Sequence, residues 1–183
     1  MKVKKRKLIN ENKVFNFFLD HLEDENTKES ELSYLVIETK SSISGITGVS
    51  ILPIIKDKVL LIKVYRHAIG KEIYEVPRGF VDSKDKNVLS SAIRELYEET
   101  GLLCKDEDLT HFQDIYPEPG ILKAKISLFF ANINKLNSFK DIEEIGHKSF
   151  ILFTKEQLKE LIKTYDQFDT TTLFLINQWI NEK

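Results

Sequence analysis

The chain has 183 residues, a formal net charge of −2, and 42% apolar and 31% charged residues, the make-up of one globular domain with room for a small extension. One cysteine, Cys104, excludes an internal disulfide framework and suits a reducing compartment. No apolar run approaches the roughly 20 residues of a membrane span. The opening MKVKKRKLINENK has the charge of a signal peptide without its apolar stretch or cleavage site, so a cytoplasmic protein with no membrane partner is expected.

In chain order, the basic run Lys2–Lys7 comes first. It reads as a frayed terminus or a charged edge strand, and with the near-neutral balance no nucleic-acid partner is expected. The first forty-odd residues are polar and end in a strand-like run, Tyr34–Val36–Glu38, flanked by turn-rich Asn26–Glu31 and Lys40–Gly45. Residues 1–45 are therefore expected to form a small β-rich extension and 46–183 the main domain. Val49–Ile55 and Val59–Tyr65 are β-branched runs joined by Lys56-Asp57-Lys58, a hairpin pattern. Ile73–Val76 predicts a short strand ending at Pro77, which has no N–H for a ladder.

The spacing of Leu89, Ala92, Ile93 and Leu96 predicts a helix over Val88–Thr100, capped by Asn87 or Asp85 and stopped by Gly101. Strand-like runs recur at His111–Tyr116, Ile126–Asn132 and Phe150–Phe153. Thr154 is placed to cap a helix through Leu161, and Thr170–Ile180 reads as a closing amphipathic helix. Strands outnumber helices and do not alternate with them as in a βαβ array. The fold class expected is α/β, a mixed sheet flanked by helices.

At 100° per residue, Glu95, Glu98 and Glu99 fall within a sector about 100° wide on one helix face. Carboxylates crowded this way repel by a few tenths of a kcal/mol per pair and gain from a hard divalent cation. Taken alone, such a face is more often merely solvated. Its frame decides the matter. Gly79 followed by Arg94-Glu95-Leu96-x-Glu98-Glu99-x-Gly101-Leu102 resembles the Nudix box, a loop–helix–loop. The second half matches at every defined position. In the first half, fourteen residues separate Gly79 from Arg94, one more than the box prescribes, and Asp85 is the acid nearest the place of its first glutamate.

The likeness runs from roughly Tyr34 to Leu161. Val64-Tyr65-Arg66-His67-Ala68-Ile69-Gly70 with Glu75-Val76-Pro77-Arg78-Gly79 resembles the approach to the box in the ADP-ribose pyrophosphatase branch. Tyr116-Pro117-Glu118-Pro119-Gly120 is similar to its proline loop, and Asp141-Ile142-Glu143-Glu144-Ile145 to its late acidic loop. The fold this implies is the Nudix α/β/α sandwich. The activity implied is Mg²⁺-dependent hydrolysis of a diphosphate joining a nucleoside to a small moiety, ADP-ribose or an ADP-sugar first, with Mn²⁺ as a substitute ion. GDP-mannose, NADH or dinucleoside polyphosphates, or binding with weak catalysis, are the alternatives.

By the same resemblance Glu95 and Glu99 are metal ligands, with Glu98 holding a further ion or orienting water and the Arg78 carbonyl completing the set. Glu143 or Glu144 is the general base. Arg66, Glu75, Arg78 and Pro119 line the substrate, and Arg94 is structural. The branch commonly forms a homodimer through an N-terminal sheet and stacks its base on an aromatic residue there, often tryptophan. The one tryptophan of this chain is Trp179, which leaves Phe15, Phe17 or Tyr34 for that place.

Overall fold

The computed structural model describes residues 1–24, 32–133, 147–164 and 167–182, and within them eleven strands and three α-helices. β1 (Lys2–Glu11), β2 (Phe15–Glu23) and β3 (Leu32–Thr39) form an antiparallel meander. β4 (Gly48–Ile55) and β5 (Lys58–Arg66) make the expected hairpin, with Lys56 at φ 59 in its turn. β6 (Lys71–Glu75) and β7 (Arg78–Phe80) precede helix α1 (Val88–Thr100). β8 (Leu109–Ile115), β9 (Leu122–Lys123), β10 (Ile126–Asn132) and β11 (His147–Thr154) follow, then α2 (Lys155–Thr164) and α3 (Thr170–Asn181).

The larger sheet has the order β11-β5-β4-β10-β8, with β6 on β5 and β7 on β4. It is mixed, because β10 lies parallel to β4 while the other pairs are antiparallel. Alternation along the central strands sends side chains to two cores. Val49, Ile51, Leu60, Phe129 and Ala131 pack with Ala92 and Leu96 of α1. Leu52, Val59, Leu61, Leu128 and Phe130 pack with Leu158 of α2 and Leu175, Ile176 and Trp179 of α3. Helices on both faces complete the α/β/α sandwich. The buried aliphatic side chains contribute roughly 1.5–3 kcal/mol each.

Pro53 marks a fork in this sheet. β4 pairs with β7 at Gly48–Ser50 and with β5 at Ile54–Ile55, and between them Ile51 N–H donates to the Pro77 carbonyl at 2.9 Å. A proline is tolerated at position 53 because no ladder partner faces its missing N–H. The segment 75–80 enters at this fork, and through it the site is built.

β9 joins β3 in parallel, so the smaller sheet reads β1-β2-β3-β9 and draws on chain from both sides of α1. Ile37 N–H donates to the Ile121 carbonyl at 2.9 Å, Lys123 Nζ pairs with Glu38 at 2.6 Å, and Tyr34 donates its hydroxyl proton to the Gly120 carbonyl. The basic run is thus the edge strand β1, exposed along its whole length. Asn26–Glu31, Glu143 and Glu144 all lie outside the described residues.

Candidate active site

Helix α1 begins at Asn87, not Asp85. The Asn87 side chain accepts from Ser90 N–H at 2.8 Å and Ser90 Oγ accepts from Asn87 N–H at 3.0 Å, a reciprocal cap. Gly101, at φ 75, ends the helix with its N–H on the Tyr97 carbonyl. Both ends are therefore held, and the glutamate face is aimed at β7.

The aim is close. A Cβ added to Gly79 would lie 2.2 Å from the Glu95 carboxyl carbon, so the carboxylate rests directly on the glycine. Gly48 answers behind it, where a Cβ would meet the Gly79 carbonyl oxygen at 2.9 Å. Glu99 turns to the same strand and accepts the Arg78 N–H at 2.8 Å. Burial pushes the Glu95 carboxyl above its ordinary pKa, and the Arg94 guanidinium, 2.7 Å away, opposes the shift.

Arg94 also bonds Asp85 through Nε at 3.0 Å and Nη2 at 2.9 Å, Glu98 at 2.9 Å and the Phe80 carbonyl at 2.9 Å. Asp85 is held well below the usual carboxylate range by Arg94 first, with Ser91 and the Asp82 N–H also lowering it. The longer loop is absorbed in a turn at Asp82–Asp85, whose ends exchange two hydrogen bonds of 3.0 Å. Asp85 therefore links the loop to the helix despite the added residue.

A second charged group lies at the other end of the segment. Glu75 is 1% exposed. Arg66 donates to both of its oxygens, through Nε at 2.7 Å and through Nη2, and Arg78 Nε lies 2.9 Å from Oε2. Arg78 Nη1 reaches Asp169, the N-cap of α3, at 2.5 Å. Charges buried to this degree need partners, and here two carboxylates meet two guanidinium groups.

These parts border one cleft of about 670 Å³. Arg66, Arg78, Gly79, Arg94, Glu95 and Glu99 form its charged side. Val14, Phe15, Ile37, Phe80, Pro117 and Leu122 form an apolar side. Phe15 and Phe80 meet edge to face at 5.5 Å, so the N-terminal sheet closes the cleft in the same chain. The expected residues divide accordingly. Glu95, Glu99, Arg66 and Arg78 come together at the cleft. Glu98 stands outside it, its side chain 55% exposed and bound to Arg94. Glu75 orients guanidinium groups from below, and Pro119 borders a neighbouring groove with Tyr34 and Tyr116. Cys104 is partly buried, and burial, then Asp108 and Asp106, pushes its thiol up to about 11, which disfavours the thiolate at neutral pH.

Sequence reasoning missed Asp169 and Phe80. An aspartate before the closing helix signals a cap, but its partner Arg78 is 91 residues away and no local pattern announces it.

Among the described residues no three carboxylate, imidazole or thiol groups are already gathered around a point. Two carboxylates, Glu95 and Glu99, on the wall of an open cleft are the donor type of an ion such as Mg²⁺, which keeps several waters and takes substrate phosphate oxygens as ligands. No described helix is long and apolar enough to cross a membrane.

The family model described as the NUDIX domain matches residues 46–173. An uncharacterized Nudix hydrolase of Schizosaccharomyces pombe is 33% identical over 105 residues, 57% of this chain and 50% of that protein. The methanol dehydrogenase activator of Bacillus methanolicus is 26% identical over 122 residues, 66% of this chain and 64% of that protein. The matches thus span from half to just under two thirds of these relatives. The solved structure of an ADP compounds hydrolase superposes with a TM-score of 0.70 at 18% identity, covering 98% of this chain and 93% of that one.

Proposed function

Because this chain belongs to the Nudix family, matched over residues 46–173, we propose that it hydrolyses, with Mg²⁺, the diphosphate of a nucleoside diphosphate derivative, ADP-ribose or an ADP-sugar, to AMP and a sugar phosphate. The observation that carries this reading is the stacking of Glu95 on Gly79 beside Glu99, itself held by the Arg78 N–H at 2.8 Å. It leaves two oxygen-donor carboxylates at the charged side of a cleft large enough for such a substrate.

Glu95, Glu99 and the Arg78 carbonyl would hold the ion, with Glu98 at the rim serving a further ion or an ordered water. A bound divalent cation supplies charge neutralisation of the diphosphate, polarisation of the phosphoryl group and a lowered pKa for water. Arg66 and Arg78 orient phosphate oxygens, with Glu75 fixing both guanidinium planes. Phe15 and Phe80, with Val14, Ile37 and Leu122, offer the apolar surface that a base needs, while Pro119 shapes the loop nearby. Glu143 or Glu144 takes the proton of the attacking water as general base. Residues 1–45 act as an extension to a 46–183 hydrolase domain, and the exposed strand β1 is the surface on which a second copy would pair.

Purified protein incubated with Mg²⁺ and ADP-ribose, ADP-glucose, GDP-mannose, NADH and diadenosine polyphosphates tests the reading by chromatography. AMP with ribose 5-phosphate from ADP-ribose, abolished by chelator, is the expected result. Activity on another member alone would change the substrate, and silence with both Mg²⁺ and Mn²⁺ would overturn the enzyme.

A further inference from the structure

We infer that Asp169, at the start of the last helix, is a positioning residue that aims the Arg78 guanidinium into the cleft and so sets the affinity for the substrate's diphosphate; the inference rests on the function proposed above.

Asp169 performs two tasks, and they differ in what they require. As N-cap of α3 it accepts Thr172 N–H through Oδ1 at 3.0 Å and the Thr171 hydroxyl through Oδ2 at 2.7 Å. Capping needs an acceptor and no charge, since asparagine caps as well as aspartate. The bond to Arg78 Nη1 at 2.5 Å is additional, and there the charge matters. Glu75 alone offers one negative charge to two guanidinium groups, those of Arg66 and Arg78, and Asp169 supplies the second.

The carboxylate is delivered from a fixed point. Tyr74 N–H donates to the Gln167 carbonyl at 2.8 Å, and Tyr74 and Phe168 form a parallel bridge with their rings 5.8 Å apart. Just past β6, Val76 N–H donates to Thr172 Oγ1 at 2.9 Å. The approach to α3 and its first turn therefore grip the segment leading into the box at two places, Tyr74 and Val76. The ion pair of Nε with Glu75 and the bond of Nη1 to Asp169 restrain the Arg78 guanidinium from two sides, and its Nη2 donors are left to meet an anion. Its side chain borders the cleft and is 31% exposed.

The sign of the effect separates this role from a bystander's. A carboxylate merely near the cleft repels a diphosphate, and neutralising it lowers KM. One that aims Arg78 raises KM when neutralised.

The experiment compares wild type with Asp169→Asn, which keeps the cap, in kinetics with ADP-ribose and in calorimetry of inorganic pyrophosphate without metal. We expect KM to rise about tenfold with kcat within about twofold, and pyrophosphate affinity to fall by a similar factor. Tm should drop by no more than about 4 °C. On an Arg78→Ala background Asp169→Asn should add nothing, because the group it aims is gone. Unchanged or lowered KM in an active enzyme, or full additivity with Arg78→Ala, overturns the inference and leaves the proposed function standing. Failure of wild type to turn over any nucleoside diphosphate compound brings down the proposed function itself, and this inference with it.

Discussion

Replacing Gly79 by alanine perturbs the site at its narrowest contact. The new methyl would stand 2.2 Å from the carbon and one oxygen of the Glu95 carboxylate and 2.4 Å from the other. Non-bonded carbons settle near 3.5 Å or beyond, so the carboxylate has to retreat by roughly 1.3 Å. Metal–ligand distances tolerate about 0.2 Å. The retreat thus removes Glu95 from any position in which it ligates, and a misplacement of about 1 Å is worth on the order of 100-fold in rate. Folding should suffer far less, because the displaced atoms end a flexible side chain. We expect a cost of about 1 kcal/mol, or a Tm lower by about 2–4 °C. Gly48→Ala offers the contrast, since its methyl would meet the Gly79 carbonyl oxygen at 2.9 Å and backbone cannot step aside cheaply. Mn²⁺ affinity by electron paramagnetic resonance, kcat against Mg²⁺ concentration and thermal melts of both variants provide the assay. Wild-type Mn²⁺ affinity and turnover in Gly79→Ala would refute the reasoning, as would equal damage from Gly79→Ala in a Glu95→Ala background, where the methyl has room.

Two further predictions concern the acids of the box. Glu99→Gln should lower kcat by about 100-fold or more and weaken Mn²⁺ binding, whereas exposed Glu98→Gln should lose less at saturating metal; equal losses would bring Glu98 into the innermost ligand set. Asp85→Asn should destabilise the fold at pH 7 by about 1.5–3 kcal/mol through loss of its charged bonds to Arg94. The folded-state pKa of Asp85 is depressed, so this contribution is present above the unfolded value near 4 and is lost as pH falls further. Urea midpoints of wild type and variant should therefore converge below about pH 4, and a constant gap would refute the pairing.

What the sequence discloses here follows from how local each signal is. The span of α1 was legible because its apolar stripe and its Gly101 stop lie within one stretch of chain, while its cap lay open between Asn87 and Asp85 until the structure gave Asn87. β10 was equally plain, a buried run serving two cores. β1 was harder: all ten of its residues are exposed, so pairing with β2 holds it and no burial period appears. β7 and β9, of three and two residues, exist only because β4 and β3 lie beside them. The same division runs through the site. The glutamates share a helix face and could be placed together, while the acid that steadies Arg78 arrives from 91 residues downstream.

The parallel seam between β3 and β9 also bears on the order in which the molecule is assembled. During synthesis the meander of β1, β2 and β3 can form from neighbouring chain, and Glu95 and Glu99 emerge soon after. Yet Glu38 waits 85 residues for Lys123, and β4 waits for Ile126–Asn132 to lie against it. Such distant closures are slow compared with local pairing. A nascent chain thus carries its acidic helix for some time before β10 completes the sheet beneath it and β9 completes the wall opposite, so the cleft is finished late.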